Sequence, residues 1–149
     1  MPGTYQLATN DYANGVATDS SGNVYVTGGT KGGLDGNTSA GNTDLFVVKY
    51  NSSGTKQWTK QLGSSGLDSA NGVATDSSGN VYVTGVTFGG LDWNTSAGAN
   101  DLFVVKYNSS GTKEWTEQLG SASSDYANGV ATDSSGNVYV AGDTYGGLD

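Results

Sequence analysis

The chain of 149 residues contains no cysteine, no histidine and no arginine, and a single proline. Without cysteine there is no disulfide, no thiol nucleophile and no thiolate ligand. Without histidine the commonest general base and the imidazole metal ligands are gone as well. Positive charge is scarce: six lysines stand against 14 acidic residues, for a net charge of −8. Nucleic-acid binding needs a basic stripe that releases counterions from phosphates, and an anionic membrane surface makes the same demand. No apolar run approaches the roughly 18 residues of a membrane-spanning helix. Residues 1–4 lead directly into the body of the sequence, without the charged and apolar regions of a signal peptide. The expectation is no nucleic acid, no membrane, no cofactor and no enzyme activity.

What the chain does have is repetition. Residues 11–26 return almost letter for letter at 68–83 and 125–140, a period of 57 residues. A repeat of this length marks an array whose units bury their faces against one another. Each unit offers four strand-like runs and no helix: in the first, residues 14–18, 24–27, 45–50 and 57–62. The first two runs and the last two are each joined by a short polar turn with a late glycine, Gly22 and Gly54, which suits a hairpin. Two hairpins per unit give a four-stranded antiparallel meander. The third run, Leu45-Phe46-Val47-Val48-Lys49-Tyr50, is apolar on both alternating sets and reads as covered on both sides. The first run is built of small residues, Gly15, Val16 and Ala17, which suit a crowded place where sheets converge. The fourth sets Trp58, Lys60 and Leu62 against Gln57, Thr59 and Gln61, as on an outer edge with one wet face. Sheets that converge, pack face to face and end in a polar strand are the blades of an all-β propeller. A linear β-solenoid is the competing architecture.

The runs Asn14-Gly15-Val16-Ala17-Thr18-Asp19, Gly22-Asn23-Val24-Tyr25-Val26-Thr27-Gly28, Asp44-Leu45-Phe46-Val47-Val48-Lys49-Tyr50 and Gly54-Thr55-Lys56-Gln57-Trp58 resemble the SBBP repeat of bacterial and archaeal β-propellers. The resemblance implies propeller blades and an extracellular or cell-surface location, and it brings no catalytic residues. Divided accordingly, residues 1–10 are a remnant outer strand around Tyr5-Gln6-Leu7, residues 11–67 and 68–124 are full blades, and residues 125–149 are a half blade. A fragment of about two and a half blades leaves faces bearing Leu45, Phe46, Val47 and Val48, or their copies, open to water. It is expected to close a ring as a homo-oligomer, the N-terminal strand of one chain completing the half blade of another. A dimer of six blades, two of them short a strand, is favoured, with a trimer next.

The first two units differ at 11 of 57 positions, five of them between the second and third runs. There Lys31 and Gly36 are replaced by Phe88 and Trp93, and the third unit carries Tyr145. Lys31, Phe88, Trp93 and Tyr145 are thus candidate binding residues on a diversified loop face, suited to a glycan or protein ligand; the alternative is that loops simply tolerate change. In the same connection residues 35–44 and 92–101, bounded by Asp35 and Asp44 and by Asp92 and Asp101, set oxygen side chains at alternate positions as calcium loops do. The glycine comes one residue late and no bidentate glutamate follows, so calcium is expected to be dispensable. Asn37, Asn51, Asn94 and Asn108 fit the N-glycosylation pattern, which is also ordinary turn sequence. Asp19, Asp76 and Asp133 fall in hairpin turns, where a carboxylate caps backbone amides, and no catalytic constellation emerges. The function expected is a self-assembling structural or binding scaffold, or alternatively a carbohydrate-binding surface adhesin.

Overall fold

Residues 10–148 are described by the computed structural model, and they form ten strands with no helix among them. Blade one is the sheet β1 (Tyr12–Thr18), β2 (Val24–Thr30), β3 (Asp44–Tyr50) and β4 (Lys56–Leu62). Blade two repeats it as β5 (Asp68–Thr75), β6 (Val81–Thr87), β7 (Asp101–Tyr107) and β8 (Lys113–Leu119). A half blade follows, β9 (Asp125–Thr132) and β10 (Val138–Thr144). Each sheet is an antiparallel meander in chain order, as the two-hairpin pattern requires, and no linear coil forms. The expected remnant strand in residues 1–9 lies outside the described residues.

Local chemistry sets the hairpins. In the β1–β2 turn Asp19 Oδ1 accepts the amides of Ser21 at 2.9 Å and Asn23 at 3.0 Å, while Oδ2 accepts the Tyr25 hydroxyl at 2.9 Å. Gly22 closes the turn at φ +77°, in the left-handed region that glycine enters freely. Asp76 and Asp133 repeat this arrangement, so the three aspartates are turn caps as read from the sequence. β1 begins and β2 ends beyond the sequence reading, because their ladder continues past a bulge in β1. Ala13 pairs with Gly28 and Gly15 with Thr27, leaving Asn14 unpaired in the ladder; Asn71 and Asn128 occupy the same bulge in β5 and β9.

The blades pack face to face through their apolar sides. Tyr25, Leu45 and Val47 of blade one meet Val73, Val83, Phe103 and Val105 of blade two in one buried cluster. Strands β1, β5 and β9 lie side by side where the sheets converge, and their small residues are needed there: a Cβ on Gly72 would sit 3.1 Å from Gly129 Cα. The outer strands are clasped by Trp58, whose ring lies 6.0 Å from Tyr25 and 6.5 Å from Tyr107 across the junction. As expected, β3 is buried on both faces. Leu45, Phe46, Val47 and Val48 are all buried, but their copies Leu102 and Val104 are only half-buried, and Val16, Leu119, Tyr139 and Val140 are among the exposed apolar residues. Blade two covers Leu45 and Val47, whereas no blade among the described residues lies over Val16 or over the Tyr139 face of the half blade. A cleft of about 280 Å³ beside β10, floored by Leu102 and Leu119, marks where a complete third blade would place its outer strands.

Candidate functional site

The connection between second and third strands is held from beneath by the outer strand of its own blade. Gln61 Oε1 accepts the Leu34 amide at 2.9 Å, and its Nε2 donates to Gly32 O at 2.9 Å and Asp44 Oδ2 at 2.8 Å. Blade two repeats all three with Gln118, Leu91, Gly89 and Asp101. Asp35 is tied to Lys56 Nζ at 2.6 Å and accepts the Thr59 hydroxyl at 2.5 Å, and Asp92 pairs likewise with Lys113. The Lys56 and Thr59 partners hold the Asp35 carboxyl below its ordinary range. The loop carboxylates therefore point to separate partners: Asp35 to a lysine, Asp44 to Gln61 and to the Ala40 amide at 2.8 Å. No group of three acidic side chains converges on one point among the described residues. Asn37 and Asn94 also serve the loops, their amides donating to Leu34 O and Leu91 O, while Asn51 and Asn108 accept turn amides through Oδ1.

On this braced platform Lys31, Phe88, Trp93 and Tyr145 stand exposed, whereas Val86, Thr43 and Asn100, which also differ between the units, are buried. Trp93 is 99% exposed and adopts φ +69°, the conformation its copy Gly36 takes at φ +80°. A left-handed backbone costs a non-glycine residue about 1–2 kcal/mol, and Trp93 gains no burial in return. Phe88 and Tyr145, at the position of Lys31, sit at successive blade junctions. Phe88 N donates to Leu67 O at 2.9 Å, and Tyr145 N to Ser124 O at 3.0 Å. The Tyr145 ring meets Tyr126 edge-on at 6.4 Å. The four candidates thus line one end of the blades at separate stations; the fold does not gather them into one pocket. Lys31 is exposed on the first blade.

Sequence reading missed the asparagine ladder on the converging strands. Asn14 Nδ2 donates to Ala70 O at 2.9 Å across the first junction, and Asn71 Nδ2 to Ala127 O at 2.9 Å across the second. The bulge is what turns this side chain toward the next blade. The only signal available was its fixed place before Gly15, Gly72 and Gly129 in every unit.

The SBBP beta-propeller repeat family matches residues 6–35, 57–92 and 114–149. The second and third matches start within an outer strand and run through the next inner hairpin, so the family unit straddles a blade junction. The chain is 30% identical over 139 residues to the regulatory protein FlaEY of Caulobacter vibrioides, covering 84% of this chain and 15% of that protein. It is 29% identical over 133 residues to an uncharacterised WD repeat-containing protein of Acanthamoeba polyphaga mimivirus, covering 77% of this chain and 9% of that one. The chain therefore spans a small part of either relative. Three family matches in register with ten strands arranged as blades place the chain in the SBBP beta-propeller repeat family.

Proposed function

We propose that the chain is a non-enzymatic β-propeller scaffold that associates with copies of itself and presents the loops between second and third strands for binding. The observation that carries this reading is that apolar blade surface is open at both ends of the series, at Val16 on blade one and at Tyr139 on the half blade. Contiguous apolar faces flanked by raw sheet edges mark interaction surfaces. Sedimentation of the full chain at micromolar concentration should show an oligomer, a dimer before a trimer. A well-folded monomer across the concentration range overturns the reading.

A second reading, a lectin-like adhesin outside the cell or on its surface, is favoured by one observation: Trp93 is held fully exposed in a strained left-handed backbone. Backbone strain of this kind is kept where function uses it, and an exposed indole is the side chain that stacks on a sugar face. A glycan array probed with the wild type and with Trp93→Gly tests it; binding that is absent from the wild type, or unchanged in the variant, removes it.

A further inference from the structure

We infer that the face of the half blade turned away from blade two is the docking surface for blade one of a second copy, in the register that joins blades within the chain. This rests on the self-association proposed above and fixes its geometry.

Both internal junctions use the same parts. The bulged asparagine donates to an alanine carbonyl of the next blade, Asn14 to Ala70 and Asn71 to Ala127. A threonine hydroxyl returns the bond, Thr75 to Thr18 O at 3.0 Å and Thr132 to Thr75 O at 2.8 Å. Glycine permits the approach, since a Cβ on Gly15 would lie 3.2 Å from Asn71 O.

Among the described residues, the half blade carries these parts with nothing to meet them. A Cβ on Gly129 finds no atom within 4 Å, and Tyr139 is 57% exposed where its copy Tyr25 is 0%. Asn128 has turned its amide back onto Asp143 Oδ2 of its own hairpin at 2.7 Å. Blade one shows the complement. Ala13 is exposed where Ala70 and Ala127 are buried, and Val16 is 68% exposed where Val73 is 9%. The two surfaces also match in reach: the half blade has only the two inner strands, and the open part of blade one is its inner part, since Phe46 and Val48 farther out are buried. Docking lets Asn128 exchange Asp143 for the Ala13 carbonyl of the second copy, and lets Thr18 of that copy donate to Thr132 O.

The contact is head-to-tail and so must close a ring or propagate. Each copy contributes three inner hairpins, β1–β2, β5–β6 and β9–β10. Propeller rings run from about four to eight blades; two copies fall in that range with six and three copies exceed it with nine.

Gly129→Val in the full chain is the test, read by native mass. Its Cβ has free space in a single chain and valine suits a strand, so circular dichroism stays that of the wild type while the dimer becomes a monomer. Val16→Asp should do the same from the opposite surface. Mixing the two variants restores one intact junction and therefore a dimer, weaker than the wild type. A dimer that survives both substitutions shows association through another surface, such as the cleft floored by Leu102 and Leu119; this geometry then falls and self-association stands. A monomeric wild type removes both.

Discussion

Three aspartates, Asp19, Asp76 and Asp133, each hold a hairpin turn through one carboxylate, which ties the turns to ionisation. Hydrogen bonds from the Asn137 side chain and backbone, with Tyr139 and Ser135, bring Asp133 from 3.8 down to about 2. Burial pushes Asp19 and Asp76 upward, but bonds from Asn23 and Tyr25, and from Asn80 and Tyr82, outweigh it and lower both. Because the folded values lie below the unfolded one, these bonds stabilise fully above the unfolded value and are lost as pH falls below it, for Asp133 from 3.8 toward about 2. Asp68 has the opposite sign. Burial, helped by the neighbouring Asp44, raises it against the bonds from Thr87 and Ser64, so its protonated form is favoured by folding and it gains stability on acidification. Three caps against one buried carboxyl predict net acid destabilisation. Urea midpoints should fall from pH 6 to pH 3, and Asp76→Asn should flatten that fall; an unchanged acid limb in the variant places the titration elsewhere. These caps were legible in the sequence because a turn is a local event. The asparagine ladder was not, since Asn14 reaches Ala70, 56 residues away, only after a bulge and a blade junction have formed.

At the scale of elements, polar and apolar runs and late glycines made the strands readable, while the partners of the loop between second and third strands were not. Its alternating oxygens look like cation ligands, yet Asp35 serves Lys56 and Asp44 serves Gln61, partners on the fourth strand that spacing alone does not reveal. With Asp35 and one oxygen of Asp44 so engaged and no third carboxylate beside the unpartnered Asp44 Oδ1 among the described residues, melting temperatures in EDTA and in millimolar calcium should agree; a rise of many degrees with calcium would make these loops metal sites, because a ligand of the folded state alone raises stability by mass action. The same loop predicts a trade between stability and recognition. Trp93→Gly replaces a strained exposed residue by the one blade one uses at φ +80°, and should stabilise the chain by about 1 kcal/mol. Combined with Phe88→Lys it should leave the β-sheet spectrum and the oligomer intact while removing any ligand binding. Unfolding or loss of assembly in the double variant would make these aromatics packing residues.

For the whole molecule, the repeat made blades legible, but not which residues stay open. That depends on which neighbour covers each face: Val16 and Val73 are copies, yet one is bare and the other buried. It also decides how association responds to salt. Each copy carries a net charge of −8, so bringing two together costs long-range repulsion, while the docking surface proposed from Val16, Gly129, Asn128 and Tyr139 is apolar or neutral except for Asp143, whose carboxylate Asn128 releases on docking. Screening at about 0.15 M salt limits such repulsion to roughly 8 Å, and added salt removes more of it without breaking an ion pair at the junction. Dimer affinity should therefore rise from low salt to about 0.5 M sodium chloride. Because the proposed dimer would stabilise only folded chains, the melting temperature should also climb with protein concentration. Gly129→Val should abolish both dependences together. Affinity that falls with salt would mean that charged groups, not these blade faces, join the copies.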